Sequence, residues 1–303
     1  MKQKNIVTSM AVAAMLTASP FAFATLTGNI DFRNETEITR FDHPEQSDRG
    51  YQKWEVAGFL QDQYKHPGWF GGFYLMREDG FEGRWGNQTY KSGNSVGELY
   101  LGKFNDASWG NWGTEVMIGH ESGPDAYKIR PKVFVWYPIT DQLHLSGYGM
   151  YVIQDTRLNE DEQEMQMMTE LEIEPKLEYR VSEEFGVNFR LFSRERRQDL
   201  PKDWNADRTE QEIALKPGIY FNHGKLKTTL WGEFGTWELT SPSETLKAYD
   251  FWRIGTTADY PIANDITFTS EFGYQENYNA EGPWDMTSDA YQLFFKLGFR
   301  YLF

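Results

Sequence analysis

The chain closes on YQLFFKLGFRYLF, residues 291–303, where two kinds of side chain alternate up to the last position. Successive side chains of a strand point to opposite faces. Tyr291, Leu293, Phe295, Leu297, Phe299, Tyr301 and Phe303 therefore share one face, and Gln292, Phe294, Lys296, Gly298, Arg300 and Leu302 the other. The first face suits lipid; the second is mixed.

The same period recurs along the chain in segments of about ten residues, separated in turn by tight turns and longer polar stretches, which is the pattern of a membrane barrel. It is clearest in 170–181, where Leu171, Ile173, Pro175, Leu177, Tyr179 and Val181 alternate with Glu170, Glu172, Glu174, Lys176, Glu178 and Arg180. After a short SEEF turn, Val187, Phe189 and Leu191 alternate with Asn188, Arg190, Phe192, Arg194 and Arg196. Similar pairs of segments lie at 133–139 and 143–151, 213–221 and 226–234, and 252–260 and 266–274. Five more strands are expected near 27–41, 51–65, 69–81, 96–104 and 111–121, with turns at 65–68 and 105–110 and without a readable phase. The expected fold is all-β: a closed antiparallel transmembrane β-barrel of fourteen strands of about 9–11 residues, with periplasmic termini. Six tight turns would be periplasmic and seven longer links extracellular. Closure requires the last strand to pair with the first, because an open edge in lipid leaves backbone groups unsatisfied at several kcal/mol each.

Composition agrees once the two faces are counted apart. Mean hydropathy is −0.65, yet 17% of the residues are aromatic. A barrel explains both, since aromatic girdles face lipid while a polar lumen lowers the average. Residues 1–24 read as a cleaved signal peptide: Lys2 and Lys4, an apolar stretch from Met10 to Leu16, and a small-x-small site at Ala22–Ala24. Residues 25–303 form a single barrel domain. Removing the leader's two lysines and no acid takes the net charge from −15 to −17, which argues against a nucleic-acid partner. With no cysteine, this exported chain has no disulfide framework and fits a bacterial envelope. No apolar run after the leader is long enough for a transmembrane helix.

The C-terminal strand, with Tyr301 and Phe303 on its apolar face, resembles the signature by which bacterial outer-membrane proteins are recognised by the barrel-assembly machinery. The hairpin KLEYRVSEEFGVNFRLFSRERR (176–197), the segment TEQEIALKPGIYFNHGKL (209–226) and AYDFWRIGTTADYPIANDITFTSEFGYQ (248–275) resemble the OmpG family of monomeric fourteen-stranded porins. The resemblance covers roughly the C-terminal half at motif level and the N-terminal half in strand spacing. It implies a passive, rather nonspecific diffusion pore in the outer membrane that works as a single chain among lipid and lipopolysaccharide. In the best-studied branch two histidines in neighbouring strands gate the pore with pH. Here Tyr249 stands where one would lie and 266–278 holds no histidine, so no such latch is expected.

Fourteen strands should leave an opening between the filled eight-stranded barrel and the wide sixteen-stranded channel. The basic residues expected to line it are Lys128, Arg130, Lys132, Arg190, Arg194, Arg196, Lys216, Lys227, Arg253, Lys296 and Arg300. The acidic ones are Glu170, Glu172, Glu174, Glu178, Glu210, Glu212, Glu233, Asp259 and Glu271. A Glu-rich strand beside an Arg-rich one reads either as cross-strand ion pairing on a wet wall or as a transverse field that orients solutes. A third reading makes the basic cluster a track for acidic oligosaccharides, as in the KdgM-type oligogalacturonate porins, which resemble a shorter, twelve-stranded barrel. Phe134, Trp136, Tyr148, Trp231 and Trp237 also fall on inner faces, as a slide for sugar rings or as wall packing.

Other chemistry is thinly supported. His144 and Ser146 have the spacing of an outer-membrane phospholipase pair but face the lumen near the periplasmic rim, without an identifiable Asn or Asp partner. His66 and His223 lie in turns, His43 in a loop and His120 at a strand end, and no Cys/His set has metal-ligand spacing. The acidic stretch 159–162 lacks the glycine and spacing of a calcium loop. The expectation is therefore a porin for ions and small hydrophilic solutes, oligosaccharides included, with no cofactor, metal or catalytic residue.

Overall fold

In the computed structural model the alternating segments are strands of one closed sheet. The structure describes residues 26–42, 47–62, 68–82, 89–90, 93–157, 165–199, 207–283 and 289–303. The leader read over 1–24, most of the turn at 65–68, the acidic stretch 159–162 and parts of the longer links lie outside them. The first strands are β1 (Leu26–Phe41), β2 (Arg49–Asp62), β3 (Trp69–Glu82), a two-residue β4 (Thr89–Tyr90), β5 (Asn94–Ala107), β6 (Gly110–Glu121) and β7 (Ala126–Pro138). Then follow β8 (Leu143–Arg157), β9 (Met165–Arg180), β10 (Phe185–Asp199) and β11 (Arg208–His223). The last are β12 (Leu226–Thr240), β13 (Thr245–Pro261), β14 (Ile266–Glu281) and β15 (Ala290–Leu302). The short β4 pairs only with the end of β3, so fourteen strands make the wall.

Each wall strand is antiparallel to its neighbours in sequence, and β15 returns to β1. That seam runs from Asn29 opposite Leu302 to Phe41 opposite Ala290. It ends in two backbone bonds: the Gly28 amide donates to the Phe303 carbonyl at 3.0 Å and the Phe303 amide to the Gly28 carbonyl at 3.1 Å. The aromatic ladder that ends the sequence is thus the strand that removes the edge.

The outer face carries the apolar half of the clear alternations. Leu171, Ile173, Leu177 and Tyr179 on β9, Phe189 and Leu191 on β10, and Leu293, Phe295, Leu297, Phe299 and Tyr301 on β15 are all exposed. Burial runs the other way from a soluble fold: Glu35, Glu55, Glu170 and Glu233 are among the buried residues. Such a surface is stable only in lipid. Among the described residues no helix is long and apolar enough to cross a membrane, so strands cross it.

Two details differ from the sequence reading. Wall strands are 12 to 17 residues long, not 9–11. Fifteen residues at about 3.3 Å each, tilted about 40°, rise roughly 38 Å, so the sheet continues past an apolar band of about 25 Å. Two links on the long-loop side are also tight, 122–125 and 241–244. Hydroxyls fix several turns. The Thr140 side chain accepts from the Gln142 and Leu143 amides, and that of Ser182 from the Glu184 and Phe185 amides. The end with the six tight turns and the C-terminus is the periplasmic end.

Candidate functional site

Polar side chains of the even positions of β7 to β11 and of the odd positions of β12 to β14 converge on the inner wall, where strand register decides which charges meet. Arg194 lies opposite Glu212 on β11 and Glu172 on β9, and Arg196 opposite Glu210 and Glu170. Arg194 donates to Glu210 and Glu212, both at 2.7 Å. Arg196 pairs with Glu170 at 2.7 Å and Glu210 at 3.3 Å, and Arg190 with Glu174 at 3.4 Å. Lys216 bridges Glu174 and Glu233, at 3.2 and 3.3 Å, and Arg253 takes the other oxygen of Glu233 at 3.2 Å while donating to Gln275. From β9 to β14 the wall is therefore a chain of alternating charge.

A second chain crosses the closure seam. Arg300 pairs with Asp31 at 2.8 Å and with Asp259 at 3.8 Å. Lys296 reaches Glu35 at 2.9 Å and Glu271 at 3.7 Å, and Lys53 joins Glu35 to Glu55 at 3.1 and 3.4 Å. Further round, Lys128 pairs with Glu98 and Arg130 with Glu115. Glu172 accepts from the Tyr148 hydroxyl, and Glu178 pairs with Lys176. Lys132 sits over the Tyr148 ring, 4.4 Å from its centre, and Lys227 is exposed near the turn at 224–225. Tyr301 and Phe303, by contrast, are on the outside at the periplasmic end.

Several of these carboxylates are buried against the wall while their cations reach the lumen, so removing one partner of such a pair costs more than at an open surface. Together the pairs hold long side chains flat along the wall and almost neutralise it. Asp31, Arg33, Glu35, Lys53, Glu55, Glu98 and Glu115 belong to the same face, and sequence reading left them out because the phase of β1 to β6 was not legible. One signal was available: Lys296 and Arg300 on β15 are four residues apart, as are Glu35 and Asp31 on β1, so one antiparallel register pairs both.

Inner aromatic rings lie against the wall instead of projecting across the lumen. Trp231 stacks on Phe294 with centroids 5.8 Å apart. The space for this comes from glycine: a Cβ on Gly273 would stand 1.9 Å from Phe294, and one on Gly255 2.3 Å from Trp231. Trp237 stacks on Tyr249 at 5.0 Å and donates from its indole to Glu210 at 3.1 Å. Phe134 packs on Phe104 at 5.4 Å, and Trp136 on His144 at 5.1 Å. His144 spends its ring on that stack. His120 meets Asp125 at 3.0 Å near the opposite end of the barrel. Among the described residues no group of three or more His, Cys, Asp or Glu is placed to hold a metal ion.

Solved structures of similar shape are outer-membrane barrels. The TodX monoaromatic hydrocarbon channel, as a deltaS2 mutant, superposes with a TM-score of 0.57 at 9% identity over 95% of this chain and 92% of its own. A bacterial polysaccharide outer membrane secretin gives 0.50 at 9% identity, over 90% and 98%. At that identity the likeness shows the fold. The KdgM porin in complex with disordered oligogalacturonate gives 0.43 at 9% identity, over 91% and 99%, too low a score to bear on function. No curated protein matches the sequence significantly. The model of the OMPG-porin 1 family matches residues 8–303, the whole of the barrel. With an apolar exterior, a charged interior and a seam closed by its own last strand, the chain belongs to the OMPG-porin 1 family, as a β-barrel channel of the bacterial outer membrane.

Proposed function

We propose that the chain lets ions and small hydrophilic solutes, oligosaccharides among them, diffuse passively through its lumen as a monomer, and that it makes and breaks no bond. The observation that carries this reading is the inversion of faces: charged and hydrogen-bonding groups coat the inside in interlocking pairs, while the aromatic rings there lie flat on glycines. Fourteen strands about 4.8 Å apart and tilted about 40° make a backbone cylinder about 28 Å across. Side chains reaching about 6 Å from each wall leave roughly 15 Å for water.

Because Arg190, Arg194 and Arg196 are each engaged by glutamates, the geometry favours cross-strand pairing over a free basic track for acidic sugars. His144 and Ser146 face the lumen and not the lipid, which speaks against a phospholipase. The test is swelling of liposomes that contain the refolded protein, in neutral sugars of increasing size. Swelling rates that fall smoothly with solute size support a general pore. Folded barrels that admit none of the sugars would refute it.

A further inference from the structure

One part of the inner wall departs from the ion-paired pattern. Near the periplasmic end, Phe70 of β3, Phe104 of β5 and Phe134 of β7 pack together, with centroids 4.5, 5.4 and 5.9 Å apart. Phe70 is only 5% exposed, so the three rings form a small apolar cluster on the lumen wall, apart from the one around Phe192, Ala214 and Phe251. Beside it lies a recess of about 400 Å³ that also reaches Lys132, Tyr148 and Lys176. The volume is within the range of about 300–1,000 Å³ of small-molecule sites.

The charge at this recess is uneven. Glu115 lies in register opposite Lys132 but pairs with Arg130 at 3.3 Å. Glu174 is taken by Arg190 and Lys216, and Glu172 by the Tyr148 hydroxyl. Lys132 is left with no carboxylate partner among the described residues, its ammonium resting over the Tyr148 ring. An ammonium without a direct ion-pair partner, beside a floor of phenyl rings and near Glu115 and Glu174 that other cations engage, selects for two properties at once. A neutral sugar would gain nothing from the ammonium's charge, and a small inorganic anion would gain nothing from the rings. A flat apolar ring that carries a carboxylate satisfies both.

We propose that this recess is a binding station in the lower lumen for small aromatic carboxylates, the ring on Phe104 and Phe134 and the carboxylate at Lys132. The proposal rests on the channel reading, since the ligand must enter through the bore. The test is single-channel current of the full refolded barrel with benzoate added. Acetate, the carboxylate without the ring, and benzyl alcohol, the ring without the charge, are the matched controls. Benzoate should interrupt the current at concentrations where neither control does. Lys132→Gln should raise the half-blocking concentration about tenfold, the size of one charge-assisted hydrogen bond, with the open current retained, and Lys132→Arg should restore the block.

Equal block by acetate would overturn the proposal in favour of simple attraction of anions. Open channels that benzoate leaves untouched, or a block unchanged in Lys132→Gln, would overturn it while leaving the pore intact. A silent bilayer with folded protein would instead overturn the channel reading, and the station with it.

Discussion

Reversing the charge of Arg190, Arg194 and Arg196 together to glutamate should turn the channel strongly toward cations. The three guanidinium groups are held by Glu170, Glu174, Glu210 and Glu212 on the two flanking strands. Reversal makes one wall six charge units more negative and takes the guanidinium partners from Glu170, Glu210 and Glu212, while Glu174 keeps Lys216. A unit charge about 10 Å from the path, in water, acts on an ion with about 0.4 kcal/mol, which screening at 0.1 M salt cuts to about 0.15 kcal/mol. Six units shift a cation by about 0.9 kcal/mol one way and an anion as far the other, so the permeability ratio should change about twentyfold. Glutamine at the three positions adds half the charge and should change the ratio about fivefold. The assay is the reversal potential of the refolded barrel in a salt gradient, after resistance to denaturation in cold detergent has shown that the variant is folded. An unchanged reversal potential in a folded variant would refute the placement of these side chains along the ion path.

Gly273→Val should push the Phe294 ring off the wall into the lumen, lowering single-channel conductance and destabilising the barrel by about 1–3 kcal/mol; unaltered current would mean the ring has room elsewhere. Pro175→Thr should raise resistance to denaturant by about 1 kcal/mol, because the ladder of β9 with β10 is interrupted between Lys176 and Ile173 and the new amide restores a bond there. Phe303→Ala should cut outer-membrane yield in cells while leaving refolding in detergent intact, if the exposed terminal ring is read by the assembly machinery; equal loss in both settings would make its role structural. Cysteines at Asn34 and Leu297, opposite each other across the seam in a chain with no cysteine of its own, should cross-link under oxidation, seen as a mobility shift in denaturing gels.

How much of this was legible in the sequence follows from how cleanly the two faces differ in each strand. On β9 every odd position from Leu171 to Tyr179 is apolar and every even one charged, so strand, phase and lumen residues could all be read. On β1 the inner face holds Asp31, Arg33, Glu35 and Glu37, but the outer one holds Asn34 and Thr36 between Phe32 and Ile38, and the contrast drops below what one sequence resolves. Pairing was hidden for another reason. Arg194 lies in register with acids on both sides, and only its side-chain hydrogen bonds show that the guanidinium turns to β11 rather than to Glu172. Lys132 shows the converse, since the acid opposite it is engaged elsewhere, an outcome that needs side-chain geometry. Strand ends were underestimated because beyond the bilayer the outer face no longer has to be apolar, as with Glu195 and Arg197 near the end of β10, which pair on the exterior.

The central claim is that the charged inner face bounds a continuous column of water. Its most direct test is the current carried by single refolded barrels in a planar bilayer under symmetric salt. Stable, ohmic openings whose conductance rises in proportion to salt concentration are the result the account predicts. A silent membrane, with the barrel shown to be inserted and folded, would contradict it.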